Sequence, residues 1–139
     1  MTLLAGVSLF VAASIVSVPT PPGVASTDVT AHHGSIYQTG NDGQTTQGFL
    51  EIDNAGPADV LTRTTCAIAD ITNLVDASGH RISRLPIPAR GNVVLAPGRA
   101  HLILQNLHFS VAYGGIIPCS LTFATAGTVS VFLYATPVP

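Results

Sequence analysis

Apolar and polar residues come in short runs along most of this chain, and few runs are long enough for a helix. Residues 47–54 show the pattern best. Leu50 and Ile52 fall on one side and Glu51 and Asp53 on the other, the period-two signature of a half-buried strand. Asn54-Ala55-Gly56-Pro57 then turns the chain. Residues 60–71 are rich in Thr, Val and Ile and suit one strand, or two with a bend between them. After a turn at Asp76-Ala77-Ser78-Gly79, residues 80–83 read as a short strand that Leu85-Pro86-Ile87-Pro88 ends. Further strands are predicted over 92–95, 101–107, 117–123 and 128–134, the last two forming a hairpin around Thr125-Ala126-Gly127. No window carries a 3.6-residue period with caps at both ends. Seven or more short strands at this spacing predict an all-β fold, an antiparallel sandwich or small barrel.

The N-terminus has a different texture. An apolar run over 3–18 is followed by Pro19-Thr20-Pro21-Pro22-Gly23 and then small residues, and the first charge is Asp28. Sixteen residues are short for a membrane span, which needs about 20. The Pro/Gly break before Val24-Ala25-Ser26 fits the end of a secretory leader, although Met1-Thr2 supplies no basic start. Residues 1–25 are therefore expected to be a signal peptide or short N-terminal anchor, and 26–139 the domain, periplasmic or secreted. Met1 is the only methionine, so the expected mature chain has none.

Composition narrows the function. Charged residues make up 9% of the 139, against about 25% in a typical soluble domain. There are five Arg, no Lys and seven acids, and the net charge of −2 leaves no cationic footprint for nucleic acid. An apolar content of 47% excludes global disorder. No catalytic phrase of the serine-elbow, zinc-protease or phosphate-loop kind occurs, so the chain is read as a non-enzyme. Any metal chemistry must come from five His, two Cys and the seven acids.

The second half has a recognisable order of pieces. Ile87-Pro88-Ala89-Arg90-Gly91 precedes a run from Val94-Leu95-Ala96-Pro97-Gly98-Arg99-Ala100-His101 to Leu107. Gly115-Ile116-Ile117-Pro118-Cys119-Ser120-Leu121-Thr122-Phe123 and Ala126-Gly127-Thr128-Val129-Ser130-Val131 follow, with Gly48-Phe49-Leu50-Glu51-Ile52-Asp53-Asn54 upstream. This order resembles the PCu(A)C periplasmic copper-chaperone family over residues 48–131. The resemblance implies a cupredoxin-like, Greek-key β-sandwich that binds copper outside the cytoplasm and passes it to a copper-site assembly partner.

It also implies a site of two His and two Met, written H-x10-M-x21-H-x-M. Thioether sulfur suits Cu(I), and donors at i and i+2 of a strand share a face. In this chain His101 takes the second His position, but Ile103 stands where the adjacent Met belongs. Counting back, Gly79 and Ile68 occupy the other two positions, and a one-gap register brings Thr72 to the first His instead. A two-Met Cu(I) site is therefore absent. What remains is a degenerate His-based site suited to Cu(II) or Zn(II), with His101 as ligand and His80 as its companion, or a metal-free envelope interaction module.

The remaining candidates divide as follows. His32 and His33 are adjacent and on an ideal strand face opposite sides, which disfavours joint chelation. His108 is seven positions from His101 and so out of register with it. Arg81, Arg84, Arg90 and Arg99 form either a patch for an acidic partner or ordinary loop solvation. Glu51 and Asp53 share a face that meets water. In an exported protein Cys66 and Cys119 are expected to form a disulfide, and two thiolate copper ligands are the alternative.

Overall fold

The computed structural model describes residues 28–40 and 44–139. They contain nine strands: β1 (Val29–Tyr37), β2 (Thr46–Asn54), β3 (Asp59–Cys66), β4 (Ala69–Val75), β5 (Leu85–Ile87), β6 (Asn92–Leu95), β7 (His101–Leu107), β8 (Ile116–Phe123) and β9 (Gly127–Thr136). They pair in the order β4-β7-β2-β1-β9-β8-β3-β5, and β6 joins β2 beside β7. The sheet curls until its β4 and β3 regions meet, where the Thr64 hydroxyl donates to the Thr72 carbonyl at 3.4 Å. Among the described residues no helix is long and apolar enough to cross a membrane. The leader expected over residues 1–25 lies outside the described residues.

The expected all-β architecture is present, with two differences. The pairing is antiparallel except between β1 and β9, which run parallel with Gly34 opposite Leu133. The Thr/Val/Ile run beginning near residue 60 takes its two-strand form, β3 and β4 on either side of a turn at residues 67–68. Residues 80–83 form no strand: Arg81 makes one isolated bridge to Val75, and the strand comes later as β5. β5 pairs only with β3 at the sheet edge, where Pro86 can sit without an N–H to offer.

Alternation sets the core. Leu50 and Ile52 of β2, Leu102 and Leu104 of β7, Leu121 of β8 and Leu133 of β9 are all essentially inaccessible. Each such side chain contributes about 1.5–3 kcal/mol by leaving water. Two buried polar residues tie loops to this core. The Asp59 carboxylate accepts N–H bonds from Val60, Thr125 and Ala126 at 2.8–2.9 Å, fixing the β8–β9 turn. Asn54 donates to the carbonyls of Pro57 and Pro88 and accepts from the Gly56 amide.

Cys66 and Cys119 are direct cross-strand partners on β3 and β8, with Cα atoms 4.1 Å apart, and their sulfurs are bonded. The disulfide uses both cysteines of the chain, so the alternative of two thiolate copper ligands falls.

Candidate metal centre

β7 turns Leu102 and Leu104 inward and His101, Ile103 and Gln105 to the opposite, outer face of the sheet. Gly98 (φ +78°) sits in the turn before it, and the Ala96 amide closes that turn on the Ala100 carbonyl at 3.1 Å. His101 is buried, with its ring 6.0 Å from that of Phe49 on β2. Its Nδ1 lies 2.8 Å from the Arg99 carbonyl. A carbonyl only accepts, so Nδ1 carries a proton, which leaves Nε2 as the ring atom that could bind a metal. Such a tie to the second nitrogen is how metal-ligating imidazoles are oriented.

The other three positions of the resembled motif hold no donor side chain. Ile103 lies opposite Asn73 of β4 and Gln47 of β2. Ile68 is buried in the core, and Gly79 is a turn residue at φ +89°. Thr72, the alternative position, lies opposite Leu104, and its buried hydroxyl oxygen has no hydrogen-bond partner.

His80 ends the turn after β4. Its backbone and that of Ser78 donate to Asp76 Oδ1 at 2.9 Å, and its ring Nδ1 lies 3.6 Å from Asp76 Oδ2. The His80 backbone N–H, ahead of the Ser78 N–H and the imidazole charge, holds the Asp76 carboxyl below its ordinary 3.8. The His80 side chain is 82% exposed. Val75 stands opposite His101 on one edge of β4 and bridges Arg81 on the other, so β4 runs between His101 and the segment that carries His80.

His32 and His33 do not obey simple alternation. β1 pairs normally up to His32 opposite Glu51 and resumes at Ser35 opposite Phe49, so two β1 residues face the single residue Leu50. Within this bulge His33 has a left-handed backbone, φ +55°. A bulge re-aims side chains, and here it brings both imidazoles to Glu51. Glu51 Oε1 lies 3.7 Å from His32 Nε2, and Oε2 lies 3.3 Å from His33 Nδ1. Asp53 Oδ2 approaches His32 Nε2 to 3.2 Å, while Asn92 Nδ2 donates to Asp53 Oδ1 at 2.8 Å. The expectation that these histidines part company is thus overturned by the bulge. Its sequence signal was His-His-Gly opposite a strand with alternating acids.

His108 lies beyond the end of β7 and pairs with Asp70 at 2.6 Å on the surface. Arg81, Arg84, Arg90 and Arg99 are all exposed.

A family model described as "Putative lipoprotein LpqE-like" matches residues 15–134. No curated protein matches by sequence. Among solved structures, the chain is similar to the copper-bound PCuAC domain from PmoF2, with a TM-score of 0.72 and 18% identity over 83% of this chain and 97% of that one. The apo PCuAC domain from PmoF1 gives 0.73 and 18%, over 82% and 97%. The solution structure of CuI-DR1885 from Deinococcus radiodurans gives 0.59 and 19%, over 81% and 80%. The fold is therefore that of the PCuAC domains, as the order of sequence pieces implied, and by its match over most of its length the chain belongs to the LpqE-like family.

Proposed function

We propose that the protein is an exported, non-catalytic copper-handling protein of the chaperone type that holds its ion as Cu(II) through imidazole nitrogen. The observation that carries this is His101: a sheltered ring, fixed through Nδ1 on the Arg99 carbonyl, with Ile103 where a thioether would be needed for Cu(I). Nitrogen donors favour Cu(II) or Zn(II), and sulfur donors favour Cu(I). His101 is the primary ligand in this reading, with His80, exposed on the turn beyond β4, as its proposed companion. The recipient is a copper-site assembly protein. Titration of the full chain with Cu(II), followed by electron paramagnetic resonance, tests it. One equivalent should show nitrogen coupling that disappears in His101→Asn. Sub-micromolar Cu(I) binding in wild type would overturn the reading.

A metal-free interaction module is the second reading, favoured by one surface. On β8 and β9, Ile116 lies opposite Tyr134 and Pro118 opposite Phe132, and Ile116, Phe132 and Tyr134 are each more than half exposed. If no metal binds at His101, this apolar strip becomes the leading functional surface.

A further inference from the structure

We propose that His32, His33 and Glu51 form a separate site for one divalent cation of borderline softness, Cu(II) ahead of Zn(II), on the exposed face of the β1–β2 pair. One donor atom from each residue can be chosen so that all three lie within 4.8 Å of one another. A tetrahedral ion with bonds of about 2.0–2.1 Å sets its donors about 3.4 Å apart. Glu51 already bridges the two rings at 3.3 and 3.7 Å, so side-chain rotation alone closes the set. The rings and the carboxylate are at least a third exposed, which leaves an ion a path of entry.

Two features distinguish this cluster from ordinary surface His–carboxylate pairs. The first is the backbone. A non-glycine residue in the left-handed region costs stability, and such residues gather at ligand-holding positions. His33 holds φ +55° in a bulge that is locked from behind. A Cβ on Gly34 would meet the Phe132 carbonyl oxygen at 2.2 Å, so β9 packs directly against the bulge. The second is a further negative charge: Asp53, oriented by Asn92, approaches the same His32 Nε2 that faces Glu51, at 3.2 Å. Two neutral imidazoles and two carboxylates balance a dication. The donor set contains no sulfur and so selects against Cu(I).

This site does not depend on His101. The two are neighbours, because Phe49, which contacts His101, precedes Glu51 by two positions on the same face of β2. The test is titration of the full chain with Cu(II) and, separately, with Zn(II), in wild type, His33→Gly, Glu51→Gln and His101→Asn. His33→Gly removes a ligand while relaxing the left-handed backbone, so the fold should persist, and Glu51→Gln is isosteric at a surface carboxylate. Each of these two should weaken one equivalent at least tenfold, while His101→Asn leaves that equivalent intact. Zn(II) should shift the ring resonances of His32 and His33. Isotherms of His33→Gly and Glu51→Gln that superimpose on wild type would overturn the site. Loss confined to His101→Asn would uphold the proposed function while removing this inference.

Discussion

His101 packs its ring 6.0 Å from that of Phe49, on the sheet face that the main core does not use. Val75, opposite His101 on β4, is buried without joining that core, and the Tyr37 ring stacks edge-on against Phe49 at 5.0 Å. The imidazole therefore sits in a small apolar shelter, and its neighbour two residues along is the hydrocarbon of Ile103. Shelter and donor poverty together leave an imidazole that is well held but poorly accompanied.

Restoring one sulfur tests that argument directly. Ile103→Met recreates the His-x-Met spacing on one strand face, where both donors point the same way. Ile103 is half-buried on the outer face, and an aliphatic-to-Met exchange of similar volume should cost less than about 1.5 kcal/mol. Competition against a chromophoric Cu(I) chelator should show at least a tenfold gain in affinity over wild type. An unchanged affinity would mean that His101 Nε2 is not available to an ion.

The disulfide should be a major part of stability. It closes a loop with a sequence separation of 53, for which the chain-entropy relation gives about 4 kcal/mol. Denaturant unfolding of Cys66→Ala/Cys119→Ala, or of the reduced protein, should show a loss of about 2–5 kcal/mol with far-UV circular dichroism preserved before the transition. A loss below 1 kcal/mol would show that the β3–β8 ladder alone holds the two strands.

Strands whose alternation is clean were legible in the sequence. Residues 47–54, 101–107 and the 117–134 hairpin match β2, β7 and β8–β9 closely, because one face of each must be apolar. β1 was not legible: Val29 and Ile36 reach the core, but the bulge between them puts both out of a single period. The same bulge hid the His32–His33–Glu51 cluster, since alternation separates adjacent residues and only a left-handed break reunites them. The pairing of Cys66 with Cys119 was legible as an expectation from export, while its direct cross-strand register needed the three-dimensional ladder.

The bulge has a sharp steric requirement at Gly34. Its Cβ position lies 2.2 Å from the Phe132 carbonyl oxygen and 2.7 Å from Leu133 Cδ2. Backbone cannot step aside as a side chain tip can, so Gly34→Ala should push β1 off β9 at their only parallel contact. Overpacking of this kind costs about 1–3 kcal/mol. Hydrogen exchange should reveal the loss locally, as faster exchange in residues 34–37 and 133–136. Uniform protection would contradict the tight approach.

Asp59 should matter more than an ordinary surface acid. Its Oδ1 accepts from Val60 and Thr125 and its Oδ2 from the buried Ala126. Asp59→Asn can keep the two bonds at one oxygen but turns an amide N–H toward the Ala126 N–H. Leaving a buried donor unsatisfied costs about 1–3 kcal/mol. Asp59→Ala, which orphans all three donors, should cost more. Chemical denaturation of the two variants gives the order, and equal stability of Asp59→Ala and wild type would remove Asp59 as the anchor of the β8–β9 turn.

The turn carrying His80 should respond to acid. Asp76 accepts the backbone N–H groups of His80 and Ser78, and the first of these leads in holding its carboxyl below 3.8. A depressed native value means that the folded turn favours the ionised carboxylate. Its contribution is fully present above the unfolded value and is lost as pH falls through the lower native one. The Ser78 amide should therefore show the carboxyl's own transition only in strongly acidic solution, below 3.8. Asp76→Ala should show the acid-like shifts at neutral pH and let the His80 ring wander. If His80 also serves the ion on His101, the same variant should weaken Cu(II) binding there while leaving the His33→Gly-sensitive equivalent unchanged. Asp76→Ala with a Ser78 amide shift unchanged from wild type at neutral pH would show that another group controls the turn.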